Sequence, residues 1–237
     1  MIAHELTHGW WGGIIPVSHD SLYKGQWNET LAEYTSSWIL ETDEAYQLRK
    51  KWSQNYASIE DGSDISILEI GSYSAHWKIN EAITYHKGAL LMALLEDRVG
   101  LVSIKKVLNL FIEKRTGKPS SWEHFLDELK KHCGKETSDW FREWLSNRSA
   151  PSFTLRDIIY TDETLSGKLL QSNDPLFEGQ VEIGFYKDNR VLGLDLVQFE
   201  KNVTLFELRV PIGTNKIFLD PRYRIPRRYN LDTGQML

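Results

Sequence analysis

His4-Glu5-Leu6-Thr7-His8 sets two histidines four residues apart with a glutamate beside the first. At helical pitch, positions i and i+4 lie one above the other on the same face. Both imidazoles can then reach a single Zn²⁺ while Glu5 stands beside the metal's open position. A metal-assisted hydrolase needs that set: ligands held by one rigid helix and a base next to the remaining coordination site. The competing reading is a surface helix with two solvated histidines, and five residues alone do not separate the two.

Further along the chain, three stretches extend the pattern. Trp10, Trp11 and Gly12 follow His8 closely. Trp27-Asn28-Glu29-Thr30-Leu31-Ala32-Glu33-Tyr34 offers a carboxylate in an Asn-Glu pair, and Tyr85-His86-Lys87-Gly88 lies further on. In this order they resemble the aminopeptidase N family of zinc metallopeptidases, the gluzincins. That family's pattern reads His-Glu-x-x-His, an aromatic pair with glycine, Asn-Glu-x-x-Ala-x-Tyr, and Tyr-x-Lys-Gly. The resemblance implies a mainly helical, thermolysin-like catalytic subdomain with one Zn²⁺ per chain, held by His4, His8 and Glu29. It implies further that Glu5 is the general base, that Tyr85 donates its phenolic hydrogen to the oxyanion, and that the substrate is a peptide. Twenty residues lie between His8 and Glu29, a slightly longer interval than the family's. The extra length is expected in the loop from Val17 to Gln26, where insertion leaves the helices in place.

Leu31, Tyr34 and Trp38 recur at helical spacing, so Glu29 and Glu33, four apart, share another face. Glu29 can then reach the metal while Glu33 accepts a hydrogen bond from the far nitrogen of a liganding histidine, which would fix the ring's orientation. A solvated Glu33 is the rival. The family's Gly-x-Met-x-Asn motif, which helps recognise a substrate's α-ammonium group, does not occur in these residues, so exopeptidase specificity is implied by resemblance alone. An upstream domain in contact with this chain is expected, because the first ligand falls in a helical turn that would otherwise fray. The alternative function is a non-catalytic metal-binding or interaction module derived from such a peptidase. A base beside the metal weighs against it, since a scaffold has no physical use for one.

Composition removes several other classes. Over 237 residues the net charge is −5, with 41% apolar residues and nine tryptophans, enough to fill a sizeable core and unsuited to nucleic acid. Arg222, Arg224, Arg227 and Arg228 read as a solvated terminal strand rather than a phosphate site. The longest apolar run, Ala89 to Leu95, is far short of the ~20 residues that span a bilayer, so no membrane span is expected. Cys133 is the only cysteine, which excludes an internal disulfide and reads as a buried structural thiol. Localisation, cytoplasmic or exported, is left open.

The expected class is α+β, with a helical catalytic domain over 1–150 and a small β-sandwich over 151–237. Ser58 to Trp77, with Glu60, Asp61, Asp64 and Glu69, reads as a long loop beside the site. Asn80-Glu81 opens a helix buried through Ile83, Leu90, Leu91, Leu94 and Leu95. Ser120 caps the next with Glu123, Gly134 ends it, and Trp140, Phe141, Trp144 and Leu145 follow as core anchors. Beyond Pro151 the period becomes two: Val181, Ile183 and Phe185, a turn at 187–190, Val191 to Leu196, Val203 to Val210, and Ile217 to Leu219. Asp220-Pro221-Arg222-Tyr223 resembles the family's closing turn.

Overall fold

A computed structural model describes residues 2–18, 26–60, 62–70, 77–161, 163–172, 175–228 and 235–236. The chain divides into two compact units, Met1–Ser149 and Ala150–Leu237, helical and β respectively. Most of the expected loop between Val17 and Gln26 lies outside the described residues, as do Asp61 and positions 71–76 of the expected 58–77 loop.

In the first unit, α1 (Ile2–Thr7) and α2 (Trp27–Ser36) stand side by side. The Thr7 hydroxyl ties them, lying 2.8 Å from His4 O on its own helix and 3.0 Å from Ala32 O on the neighbour. Beneath them runs a line of buried rings. Trp27 packs edge-on against Phe111 at 5.5 Å, Phe111 against Phe125 at 5.9 Å, and Phe125 against Phe141 at 6.1 Å. Such edge-to-face pairs suit the ring quadrupoles. The indole hydrogens are also satisfied, Trp27 Nε1 donating to Ser120 O and Trp11 Nε1 to Thr35 Oγ1, both at 2.9 Å. The ligand-bearing helices are thereby fastened to α6 (Leu101–Arg115), α7 (Trp122–Cys133) and α8 (Lys135–Ser146).

A rod formed by α4 (Trp77–Glu81), a π-helical turn (Ala82–Lys87) and α5 (Gly88–Val99) crosses this layer. The joints at Glu81, Lys87 and Gly88 keep right-handed helical dihedrals, so the rod is continuous. Asn80-Glu81 thus lies inside a helix already under way at Trp77. Ala89 to Leu95 is buried on every side, which explains why that segment is apolar all round. Lys87 is fully buried as well: its Nζ donates to Asn147 O at 2.8 Å and lies 3.4 Å from the Asp64 carboxylate, which also accepts the Tyr56 hydroxyl.

Three expectations are corrected here. The cap of α7 is Ser121, which exchanges hydrogen bonds with His124; Ser120 is instead held by Arg115 Nε at 2.8 Å and belongs to the preceding bridge with Val17. The segment from Ser58 to Trp77 is only partly a solvent loop. It contains a 3₁₀ turn at Ile67–Glu69 and buries Asp64, Ile67, Leu68 and Ile70 following α3 (Thr42–Ala57). Cys133 is half-buried rather than enclosed.

The second unit holds two antiparallel sheets. One is ordered β1-β2-β5, from Phe153–Thr161, Thr164–Gln171 and Val203–Arg209. The other is ordered β4-β3-β6-β7, from Arg190–Phe199, Gly179–Lys187, Lys216–Leu219 and Gln235–Met236. Phe153 of the first and Phe199 of the second meet at 4.8 Å between ring centroids. The expected turn joins β3 to β4, with Lys187 paired to Arg190 and Asp188 at φ 55°. Beyond it a bulge shifts the register: Tyr186 pairs with Val191 and Phe185 with Gly193. Val191, Leu194 and Leu196 are consequently exposed, and Val197 and Phe199 supply the buried face instead.

The arginine cluster is likewise not a solvated strand. Arg227 and Arg228 are buried, Arg222 Nε lies 3.0 Å from the buried Glu182 carboxylate, and Arg227 Nε lies 3.6 Å from the buried Asp220. For Arg227, the Asp220 carboxylate beside it offsets part of the cost of burying the charge.

Candidate metal centre and active site

The imidazoles of His4 and His8 turn the same atom toward one point. Their Nε2 atoms are 3.0 Å apart, and Glu29 Oε2 lies 3.4 Å from the first and 3.1 Å from the second. The three ligand atoms fall within 4.8 Å of one another, the one such metal-competent group among the described residues. His4 is on α1 and Glu29 on α2, while His8 follows α1 and keeps the helical hydrogen bond to His4 O at 3.3 Å. The i, i+4 geometry therefore continues one residue past the helix proper.

Each ring is pinned from behind. His4 Nδ1 lies 2.8 Å from Glu33 Oε2, and His8 Nδ1 lies 2.8 Å from Trp11 O. With Nδ1–H donated to a fixed acceptor, the neutral ring presents its Nε2 lone pair forward, the tautomer a metal requires. Glu33 is fixed in turn by Trp52, whose Nε1 donates to Oε1 at 2.6 Å, and Glu29 by Asn28, whose amide donates to Oε1 at 3.0 Å. Two nitrogens and one carboxylate oxygen, each oriented by a partner, fit Zn²⁺ with a fourth position open.

The electrostatics are strongly coupled. Burial alone would lower His4, but its hydrogen bonds to Glu29 and Glu33 carry it up to about 9. His8 is raised chiefly by its hydrogen bond to Glu29. Glu29 is half-buried, which opposes its charge, yet hydrogen bonds from His4, His8 and Tyr85 hold it well below the usual carboxylate range. Glu33 is lowered in the same way: burial opposes its charge, and His4 and Trp52 outweigh it.

Tyr85 stacks on His4 with ring centroids 5.4 Å apart and 15° between planes. Burial and the Glu29 carboxylate hold its phenol well above the ordinary value, so it remains a proton donor across the neutral range. Glu5 is exposed on α1 and, among the described residues, takes no part in the hydrogen-bond network of His4, His8, Glu29 and Glu33. Trp52, Trp11 O and Asn28 are the supporting groups that the sequence reading missed. No local pattern marks Trp52, which lies 19 residues from Glu33. Asn28 could have been found, as it stands beside the ligand in the Asn-Glu pair.

The sequence profile of the peptidase family M1 domain matches residues 1–144. Aminopeptidase M1 of Arabidopsis thaliana is 24% identical over 190 residues, 76% of this chain and 21% of that protein. Aminopeptidase N of Lactococcus lactis subsp. lactis is 24% identical over 197 residues, 77% of this chain and 21% of that protein. The chain thus spans about a fifth of the length of these curated relatives. Among solved structures, aminopeptidase A of Legionella pneumophila in complex with aspartic acid superposes with a TM-score of 0.62 at 17% identity, over 97% of this chain and 26% of that one. An M1 zinc metallopeptidase from Deinococcus radiodurans gives a TM-score of 0.50 at 24% identity, over 63% of this chain and 33% of that one. Both likenesses concern the fold. No helix among the described residues is long and apolar enough to cross a membrane.

Proposed function

We propose that this chain, which belongs to peptidase family M1, hydrolyses peptide bonds with one zinc ion and releases residues from the N-terminus of its substrate. The observation that carries this reading is the convergence of His4 Nε2, His8 Nε2 and Glu29 Oε2, each oriented from behind. Bound there, zinc would polarise the scissile carbonyl and bring the pKa of a water toward ~7. Glu5 takes a proton from the attacking water and hands it to the leaving amine. Tyr85, protonated at neutral pH as a phenol is, donates to the oxygen that gains charge as the carbonyl is attacked. Glu33 fixes the His4 ring. Residues 1–150 act as the catalytic lobe and 151–237 as an accompanying β-domain. That these relatives are aminopeptidases supports the exopeptidase reading.

The test combines metal analysis with hydrolysis of a leucyl chromogenic amide and its N-acetylated counterpart. About one zinc per chain is expected in the parent and in Glu5→Gln, with turnover lost in the variant by several orders of magnitude. Turnover in Glu5→Gln equal to the parent would overturn the mechanism, and equal cleavage of the blocked amide would overturn the exopeptidase assignment.

A further inference from the structure

We propose that Thr30 is a positioning residue for Tyr85, its hydroxyl gripping the π-helical turn from the helix that carries Glu29. The inference rests on the reading of Tyr85 as the oxyanion donor. A π turn widens the helix and re-aims the side chains that follow, so its backbone needs outside support to hold one register. Thr84, immediately before Tyr85, is completely buried and is where that support converges. Thr30 Oγ1 donates to Thr84 O at 2.6 Å. The Thr84 hydroxyl in turn donates to Asn80 O and lies 3.3 Å from Gln26 Oε1, at the start of α2.

Gly88 makes room for this contact. A Cβ at that position would lie 2.8 Å from Thr30 Cγ2 and would press on its hydroxyl oxygen as well, so a side chain there would push the two helices apart. Threonine seated against glycine brings the two backbones together one residue from Glu29 on one helix and three residues from Tyr85 on the other. Valine would fill the same volume, so packing does not call for the hydroxyl; the Thr84 carbonyl does. Tyr85 must meet a developing charge, and small displacements of such a donor are costly to the rate. Holding the turn to the Glu29 helix sets that reach.

The variants are Thr30→Val, which removes the hydroxyl at constant volume, and Thr30→Ser, which restores it. Thr30→Ala repeats the measurement if valine prevents folding. In Thr30→Val, amide hydrogen exchange over residues 82–88 should accelerate about tenfold while zinc content is unchanged. On a leucyl chromogenic amide kcat should fall about tenfold with KM within about twofold, the split expected when a transition-state contact is lost. Thr30→Ser should match the parent in both measurements. In a Tyr85→Phe background the same Thr30→Val change should cost less than about twofold, because the group it positions is gone. An equal cost with and without the phenol, or unaltered exchange over 82–88, would overturn the proposal. A parent chain that holds zinc but cleaves nothing would instead sink the peptidase reading, and the exchange comparison would still decide whether Thr30 holds the turn.

Discussion

Zinc binding at this centre should fall steeply as pH is lowered from 9 to 7, a range in which ordinary histidines would barely respond. The metal needs a neutral His4, yet Glu29 and Glu33 hold the metal-free ring's pKa at about 9 rather than 6.5. Proton and metal compete for the same Nε2 lone pair. Each pH unit below 9 therefore lowers the apparent affinity about tenfold, or about a hundredfold by pH 7. An unperturbed imidazole would lose less than about half over that interval. Linkage gives the opposite sign for the metal-free fold. Because His4 is raised on folding, its protonated form contributes stability that is fully present below 6.5 and is lost as pH rises through about 9. The rise in melting temperature on adding zinc should then be larger at pH 8.5 than at pH 6.5. Calorimetric titration at pH 7.4 in buffers of different ionisation enthalpy should report about one proton released per zinc. Release of no proton, together with an affinity in chelator competition that stays flat from pH 7 to 9, would refute the coupling.

Three further outcomes are expected. Tyr85→Phe should slow hydrolysis by about 10²–10³ with zinc content unaltered, and undiminished turnover would return Tyr85 to a packing role. His8→Ala should leave dialysed protein well short of one zinc per chain by elemental analysis; a full complement would remove His8 from the ligand set. Phe111→Ala empties a fully buried site among Trp11, Trp27 and Phe125, and should cost about 3–5 kcal/mol in denaturant unfolding, whereas a loss below about 1 kcal/mol would show that the ring line does not fasten the ligand helices.

What the sequence disclosed was whatever helix pitch encodes locally. His4 and His8 converge because i and i+4 share a face, and Glu29 and Glu33 divide between metal pocket and ring support for the same reason. Features created by distant partners stayed hidden. Trp52 reaches Glu33 only once α3 folds back, and Arg227 meets the buried Asp220 only in the folded β unit. The π turn has no period of its own to read, since the apolar pattern through Ile83 and Leu90 suits a plain helix equally well. In the β unit, β1 escaped notice because Asp157, at φ 52°, sits in a bulge that breaks the alternation between Arg156 and Ile159. A similar interruption lies in the β3–β4 pair, where the register shifts between Val191 and Gly193. Adjacent serines are equivalent in a one-dimensional pattern, so nothing in it separates Ser120 from Ser121 as the cap of α7; in the fold α7 begins at Trp122, with Ser121 extended immediately before it.

The buried ammonium of Lys87 bears on where this protein can be cut. Its Nζ donates to the carbonyl of Asn147, one residue beyond the end of α8, and lies 3.4 Å from the carboxylate of Asp64, well upstream of that helix. A helical fragment ending at Ser146 would look complete by its helices, yet it would leave this cation, two residues along the chain from Tyr85, without the Asn147 carbonyl. One ending at Ser149 would keep that carbonyl. The workable limit for excising the helical unit, or for fusing it to another protein, is set by this lysine rather than by the last turn of helix.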